Sequence, residues 1–252
     1  MLQIVSHIKN IVIAVMIPLA IWQIVSHLEI VNPSLFPSPI GVWIAAVDMY
    51  DSGVLFKDLA ISLRRAAIGF SIGAGLGVVL GLLTSRIHFF AVALSPLFNL
   101  LRPIPAIALV PVAIVWFGIG EESKYFVIAY TVFLAVWLST HHGMEHVPSV
   151  YIRAARSLGA STALEFLQVV VPASAPHIFA GLRLGAALAF LSLVAAELTG
   201  ASAGIGYRLD EARQYILIDR MFVGLIELGI LGATLDLMFV LLGRWLVHWE
   251  QA

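Results

Sequence analysis

The residues that most invite a metal are His141, His142 and His146, with Glu145 among them. His142 and His146 are four positions apart, so on a helix they lie one turn above the other. Protease-type zinc chemistry wants His-Glu-x-x-His with a third ligand, and Glu145 stands in the wrong place for that general base. A polar cluster at a membrane edge accounts for these residues, and no metal is expected. The chain has no cysteine, which removes disulfides, thiolate metal sites and thiol catalysis. It also has no Gly-x-x-x-x-Gly-Lys-Ser/Thr loop for nucleotide phosphates. If ATP drives its activity, another chain binds the ATP. No cofactor and no catalytic residue is assigned.

What remains is a set of charges inside apolar sequence: Arg102, Glu197, Glu227 and Asp236. A charge at the centre of a membrane span costs about 2.5–3.5 kcal/mol on insertion scales, so it normally faces protein or water. Such residues point to a solute path. Arg102 would draw an anionic solute near an outer gate; the competing reading is a structural ion pair or an interfacial snorkel. Glu227 and Asp236 are nine residues apart and face nearly opposite sides of a helix, so both cannot line one pore, and at least one is structural.

The elements that position these charges follow from composition. Of 252 residues, 61% are hydrophobic and 12% charged, against about 25% charged in an ordinary soluble domain. The polar surface cannot cover a water-soluble globule. The net charge of −1 excludes the basic stripe that a nucleic-acid partner would want. Six apolar runs, Ile11–Leu28, Ile68–Thr84, Phe89–Phe117, Phe126–Leu138, Ile178–Ala196 and Met221–Val247, approach the roughly 20 residues that a span requires. They are too long and continuous for barrel strands, so they are predicted helices in one membrane domain, 1–252. The first run lacks a small-x-small cleavage site and is expected to be a retained span rather than a signal peptide.

Three places depart from simple crossings. In 29–66, the prolines of Asn32-Pro33-Ser34-Leu35-Phe36-Pro37-Ser38-Pro39 exclude a helix interior. The mixed aromatic and charged stretch Val42–Leu63 is expected as interfacial helices. In the third run, Leu101-Arg102-Pro103-Ile104-Pro105 and then Pro111 should break the helix, which is tolerated at membrane depth only where the backbone is buried in protein or lines a cavity. In span two, Gly69, Gly73, Gly77 and Gly81 form an i, i+4 ladder for close helix approach, either static packing or a sliding surface; Gly181 and Gly185 in span five carry the same two readings.

The most informative segment is the polar island 141–176. Helix-forming residues up to Leu158 are stopped by Gly159, which takes the left-handed conformation at helix C-termini. A second short amphipathic helix near Thr162–Val170 is expected to end at Val171-Pro172. Two helices thus meet at a tight glycine turn projecting from the membrane. Basic residues do not orient it: Lys9, Arg86, Arg153, Arg156 and Arg244 on one side balance Lys57, Arg64, Arg65, Lys124, Arg208, Arg213 and Arg220 near the other, so the positive-inside rule gives no sidedness.

This island resembles the EAA loop of ABC importer permeases. Ala154-Ala155, Gly159, Val169, Val171 and Pro172 fall at the family's spacing, with Arg153 where the family has an acidic residue. Leu35-Phe36-Pro37-Ser38-Pro39, Leu101-Arg102-Pro103-Ile104-Pro105, Trp116-Phe117-Gly118-Ile119-Gly120, Gly181-Leu182-Arg183-Leu184, and Ala196-Glu197 followed by Gly204-Ile205-Gly206-Tyr207 resemble its sulfonate, taurine, nitrate and bicarbonate branch. The resemblance implies an all-α membrane protein, the transmembrane domain of a type I ABC importer with about six spans. It further implies a cytoplasmic coupling loop at 141–176, an extracytoplasmic or interfacial segment at 29–66, and an inner-membrane location. Arg153, Ala154, Ala155, Gly159 and Pro172 would couple to the ATPase; Arg102, Arg183 and Glu197 would lie along the solute path. Expected partners are ATP-binding subunits, an extracytoplasmic solute-binding protein, a second permease copy and the lipid bilayer. The cargo would be a small, anionic solute. An ion-gradient carrier is the alternative; such carriers often show inverted repeats with paired broken helices, and the sequence has one strongly broken span and no convincing repeat.

Overall fold

The computed structural model describes residues 2–28, 30–32 and 35–246, with the backbone alone over 2–13 and at 15. Among these residues every regular element is helical: α1 (Leu2–His27), α2 (Pro39–Asp51), α3 (Val54–Arg86), α4 (His88–Leu101), α5 (Ala106–Phe117), α6 (Glu121–Glu145), α7 (Ser149–Ser157), α8 (Thr162–Glu165), a π turn (Phe166–Val170), α9 (Val171–Gly200), α10 (Ile205–Gln214) and α11 (Ile218–Leu246). Among the described residues four continuous helices are long and apolar enough to cross a membrane: Val54–Arg86, Glu121–Glu145, Thr162–Gly200 and Ile218–Leu246. The α4–α5 pair, bent by 106°, passes the same test only when taken together, as a broken span or a re-entrant loop. The predicted first span falls on α1, whose side chains are described without interruption only from Met16. Pro33, Ser34 and Val247 lie outside the described residues.

The centre is a three-helix packing of α3, α6 and α9. Ile128, Val132 and Val136 of α6 lie between Ala66 and Ala74 of α3 and Ala189 and Leu193 of α9. The glycine ladder faces α6 within the same chain. A Cβ built on Gly69 would stand 2.6 Å from Ile128, on Gly77 2.8 Å from Val136, and on Gly81 2.5 Å from Thr140. Lipid tails are as apolar as leucine, so this backbone-close packing, rather than escape from water, stabilises the helix pair. On α9, a Cβ on Gly181 would meet Ser139 and one on Gly185 would meet Val136 and Val132.

These pairings fix direction. Along the ladder both residue numbers rise together, so α3 and α6 run parallel; Gly143 against His177 and Gly185 against Val132 make α9 antiparallel to both. The C-terminal ends of α3 and α6 therefore share one end of the bundle with the elbow at α7–α8. Their N-terminal ends share the other with the end of α9 and with α10.

Three boundaries differ from the sequence expectation. Val54–Leu63 is the first third of the long α3, not an interfacial helix. Its Asp58, Ser62 and Arg65 are buried at i, i+4, i+7 spacing, so its polarity faces partner side chains rather than headgroups. Pro111 does not interrupt α5; the only break falls at 102–105. There Pro105 has no N–H to offer the carbonyl of Leu101, and Tyr130 on α6 donates its hydroxyl to that oxygen at 2.7 Å. Finally, Val171-Pro172 does not end the second elbow helix: Thr162–Gly200 is continuous. The π turn directly before α9, where the N–H of Val171 reaches the carbonyl of Phe166, widens the ladder where the ring of Pro172 would otherwise press on the turn before it.

Candidate functional site

The elbow is built by backbone hydrogen bonds that demand its sequence spacing. The N–H of Ala160 donates to the carbonyl of Ala155 at 3.0 Å, and that of Gly159 to Arg156 at 3.0 Å. This pair of bonds is a Schellman closure, with Gly159 at the left-handed position after the cap; its φ is +79°. Ala155 is buried beneath the turn. The hydroxyl of Ser161 then caps α8 by accepting from the N–H of Leu164. Arg156 grips Glu165 across the turn at 2.7 and 3.3 Å, and this contact holds the exposed Arg156 guanidinium above its ordinary pKa. Arg153 is exposed and donates to Ser149 one turn earlier. Underneath, Val170 packs with Met144 and Val147 at the end of α6, with Leu82 of α3 alongside. A displacement of the elbow therefore acts directly on both central helices. Pro172 lies at the junction that joins this elbow to the span.

Glu197 is placed at the opposite end, in a buried polar knot. Its carboxylate accepts from Ser62 at 2.8 and 2.9 Å, from Arg65 at 2.8 Å and from the N–H of Gly206 at 2.9 Å. Arg65 also binds Glu121 through two bonds, at 2.8 and 2.6 Å, and the carbonyl of Ala203 at 2.6 Å. Asp58 accepts from the N–H of Gly204 and from Arg208, each at 2.8 Å, and Ser62 accepts from the N–H of Ile205. The first three N–H groups at the start of α10 are thus satisfied by side chains of α3 and α9, where a helix N-terminus favours negative charge. Gly204, at φ +117°, admits the Glu197 carboxylate where any Cβ would collide with it. On α10, Arg208 loses solvation by burial, yet its bonds to Asp58 and Glu211 hold it above its ordinary pKa. Glu197 is 1% exposed. Its partners are structural, and it does not reach the cavities described next.

Arg183 sits on the seam between α9 and α11. Its guanidinium makes a bidentate pair with Asp236 at 2.7 and 2.8 Å, with the two side chains 47% and 56% exposed. Cavities of about 670 and 460 Å³ lie along this seam and share Arg183, Ala187, Asp236 and Phe239. Glu227 faces elsewhere, into an apolar pocket of about 440 Å³ beside Trp22 and Trp43, as its nine-residue offset from Asp236 predicts. Arg102 is exposed at the α4–α5 break, with no ion pair among the described residues. The structure thus separates the three path candidates: Arg183 on a seam, Arg102 at a break and Glu197 in an interior knot. His141 approaches Thr84 at 3.0 Å and His146 bonds the carbonyl of His142; among the described residues no group of three ligand-type side chains is placed to hold a metal.

Sequence reasoning missed Asp58, Ser62 and Arg65, and the Arg183–Asp236 pairing. The first had a signal in their shared helix face. The second had none, because 53 residues separate the partners.

A family model for the binding-protein-dependent transport system inner membrane component matches residues 73–249. The chain is 36% identical over 234 residues to the SsuC permease of Bacillus subtilis (strain 168), provisionally assigned to aliphatic sulfonates transport, covering 93% of this chain and 85% of the relative. It is 35% identical over 248 residues to the nitrate import permease protein NrtB of Synechocystis sp. (strain ATCC 27184 / PCC 6803 / Kazusa), covering 95% and 89%. The fold resembles that in the crystal structure of an amino acid ABC transporter, with a TM-score of 0.62, 18% identity, and coverage of 82% of this chain and 96% of that one. The membrane-spanning helices, the glycine-turned elbow and these matches agree: the chain belongs to the inner-membrane permease components of binding-protein-dependent ABC importers.

Proposed function

We propose that two copies of this chain form the membrane path of an importer for a small oxyanion of the sulfonate or nitrate type. The family implies separate ATPase and solute-binding partners. In this reading an ATPase subunit grips each elbow in the cytoplasm, and the binding protein delivers cargo at the opposite end. In this reading α2, the start of α3 and α10 lie at that extracytoplasmic end. The observation that carries the proposal is the Schellman elbow seated on the ends of α3 and α6. It is a rigid handle on the central helices at one end of the bundle only. Arg153, Ala154, Ala155, Gly159 and Pro172 shape or join that handle, and closure of the ATPases would bias the spans between inward- and outward-open states.

The cargo class is supported by the names of the relatives and by the exposure of both arginines among the path candidates, Arg102 and Arg183. Glu197 contributes by holding α10 rather than by meeting solute. The test is uptake into proteoliposomes holding this chain, its ATPase and its binding protein. The expected result is ATP-dependent uptake of sulfonate or nitrate; uptake driven by a proton or sodium gradient without ATP would overturn it.

A further inference from the structure

A solvent-exposed ion pair midway along two spans has only three possible neighbours: lipid, another protein surface or water. Lipid is the costly choice, since buried-depth charges face protein or an aqueous cavity. Arg183 and Asp236 are each about half exposed, at the waist shared by the two cavities of the α9–α11 seam. Arg244 lines the elbow-side cavity as well, so the seam carries two arginines against one aspartate. We infer that this seam is the aqueous wall of the solute path and that Asp236 is a built-in competitor for an oxyanion on the Arg183 guanidinium.

The planar guanidinium presents a two-pronged donor face that fits a carboxylate, sulfonate or nitrate equally well. In the solute-free chain Asp236 occupies that face. An arriving oxyanion replaces one acceptor pair by another, so the arginine keeps a charged partner throughout, and the site holds its cargo weakly enough to release it. The inference deepens the permease reading by assigning a position and a mechanism to anion selection.

The lack of cysteine makes a direct test simple. Ala187 is exposed on the shared wall, and Ala187→Cys in the full transporter gives each copy of this chain one thiol, read against the unsubstituted transporter labelled in parallel. Its reaction with an anionic sulfonatoethyl thiosulfonate reagent is compared with that of the cationic trimethylammonium analogue, each normalised to a free thiol in solution. The expected anionic-to-cationic rate ratio exceeds one, and Asp236→Asn raises it roughly threefold to tenfold by removing the competing charge. Arg183→Gln with Asp236→Asn, a neutral pair that leaves no lone charge at this position, returns the ratio to near the wild-type value, because Arg244 remains in the cavity. Reaction only with a membrane-permeant maleimide would place the seam in lipid and overturn the inference. Spontaneous disulfide formation between two copies would make it a dimer contact and do the same, as would a ratio insensitive to Asp236→Asn. The labelling needs no transport, so failure of ATP-dependent uptake leaves this result separately readable.

Discussion

Glu197 carries a full set of hydrogen bonds in a place from which water is excluded, so the consequence of changing it is unequal for different substitutions. Glu197→Ala leaves Ser62 and the N–H of Gly206 without their acceptor and Arg65 with only Glu121 and the carbonyl of Ala203. Breaking a buried pair by removing one partner costs about 3–5 kcal/mol. Glu197→Gln keeps an acceptor and should lose less, so the expected order of melting temperatures in detergent is wild type, Gln, Ala. A smaller effect is expected at Tyr130: Tyr130→Phe removes one of two donors to the carbonyl of Leu101 at the break and leaves the N–H of Ile104, at about 0.5–1.5 kcal/mol for one hydrogen bond. Hydrogen exchange should then rise at 102–106 before it rises elsewhere. On the exposed flank of α10, bonds from Arg213 and Gln214 hold the Asp210 carboxyl below its usual range. A depressed folded-state value means that this contribution is present above the ordinary carboxylate range and is lost as pH falls through it. Asp210→Asn should therefore flatten the acid limb of stability only slightly, as surface pairs do.

At the scale of elements, the elbow's geometry depends on one residue's backbone rather than on its contacts. A Cβ at Gly159 would touch nothing within 4 Å of this chain, so within the chain a substitution there acts first through φ. Left-handed backbone costs ordinary residues about 1–2 kcal/mol, and β-branching adds to this, whereas asparagine is tolerated. Gly159→Val is expected to keep ATP hydrolysis and lose coupled uptake, while Gly159→Asn keeps both; equal uptake by all three proteins would remove the elbow from the coupling route. The ladder fails by the opposite mechanism. Gly77→Leu places a side chain where α6 already stands and must push the two helices apart, at about 1–3 kcal/mol or more. Its signature is lost thermal stability with the elbow intact.

For the whole molecule, the parallel α3–α6 pair with α9 antiparallel makes one rigid core that links the elbow at one end to the polar knot at the other. In the proposed cycle, motion imposed at the elbow would reach α10 through whole helices rather than through loops. Glu197→Gln should accordingly weaken stimulation of ATP hydrolysis by the binding protein more than it weakens basal hydrolysis. A ratio of stimulated to basal rate equal to wild type would show that the knot serves stability alone.

Much of this was legible in the chain itself. Composition required a membrane, because polar residues were too few to cover the surface. The spacing from Ala154 to Gly159 specified the elbow, because a Schellman closure is a local hydrogen-bond pattern with a glycine at one defined position. The ladder announced a close helix contact, and the nine-residue offset separated Glu227 from Asp236. Tertiary structure alone decided the partners. Whether Asp58, Ser62 and Arg65 face headgroups or partners 132 to 150 residues away, Glu197 and Arg208 among them, depends on which helices meet, and so does the pairing of Arg183 with Asp236. Local sequence governs backbone geometry within a few residues, whereas the neutralisation of a charge at membrane depth depends on a distant helix whose register only the packed bundle sets.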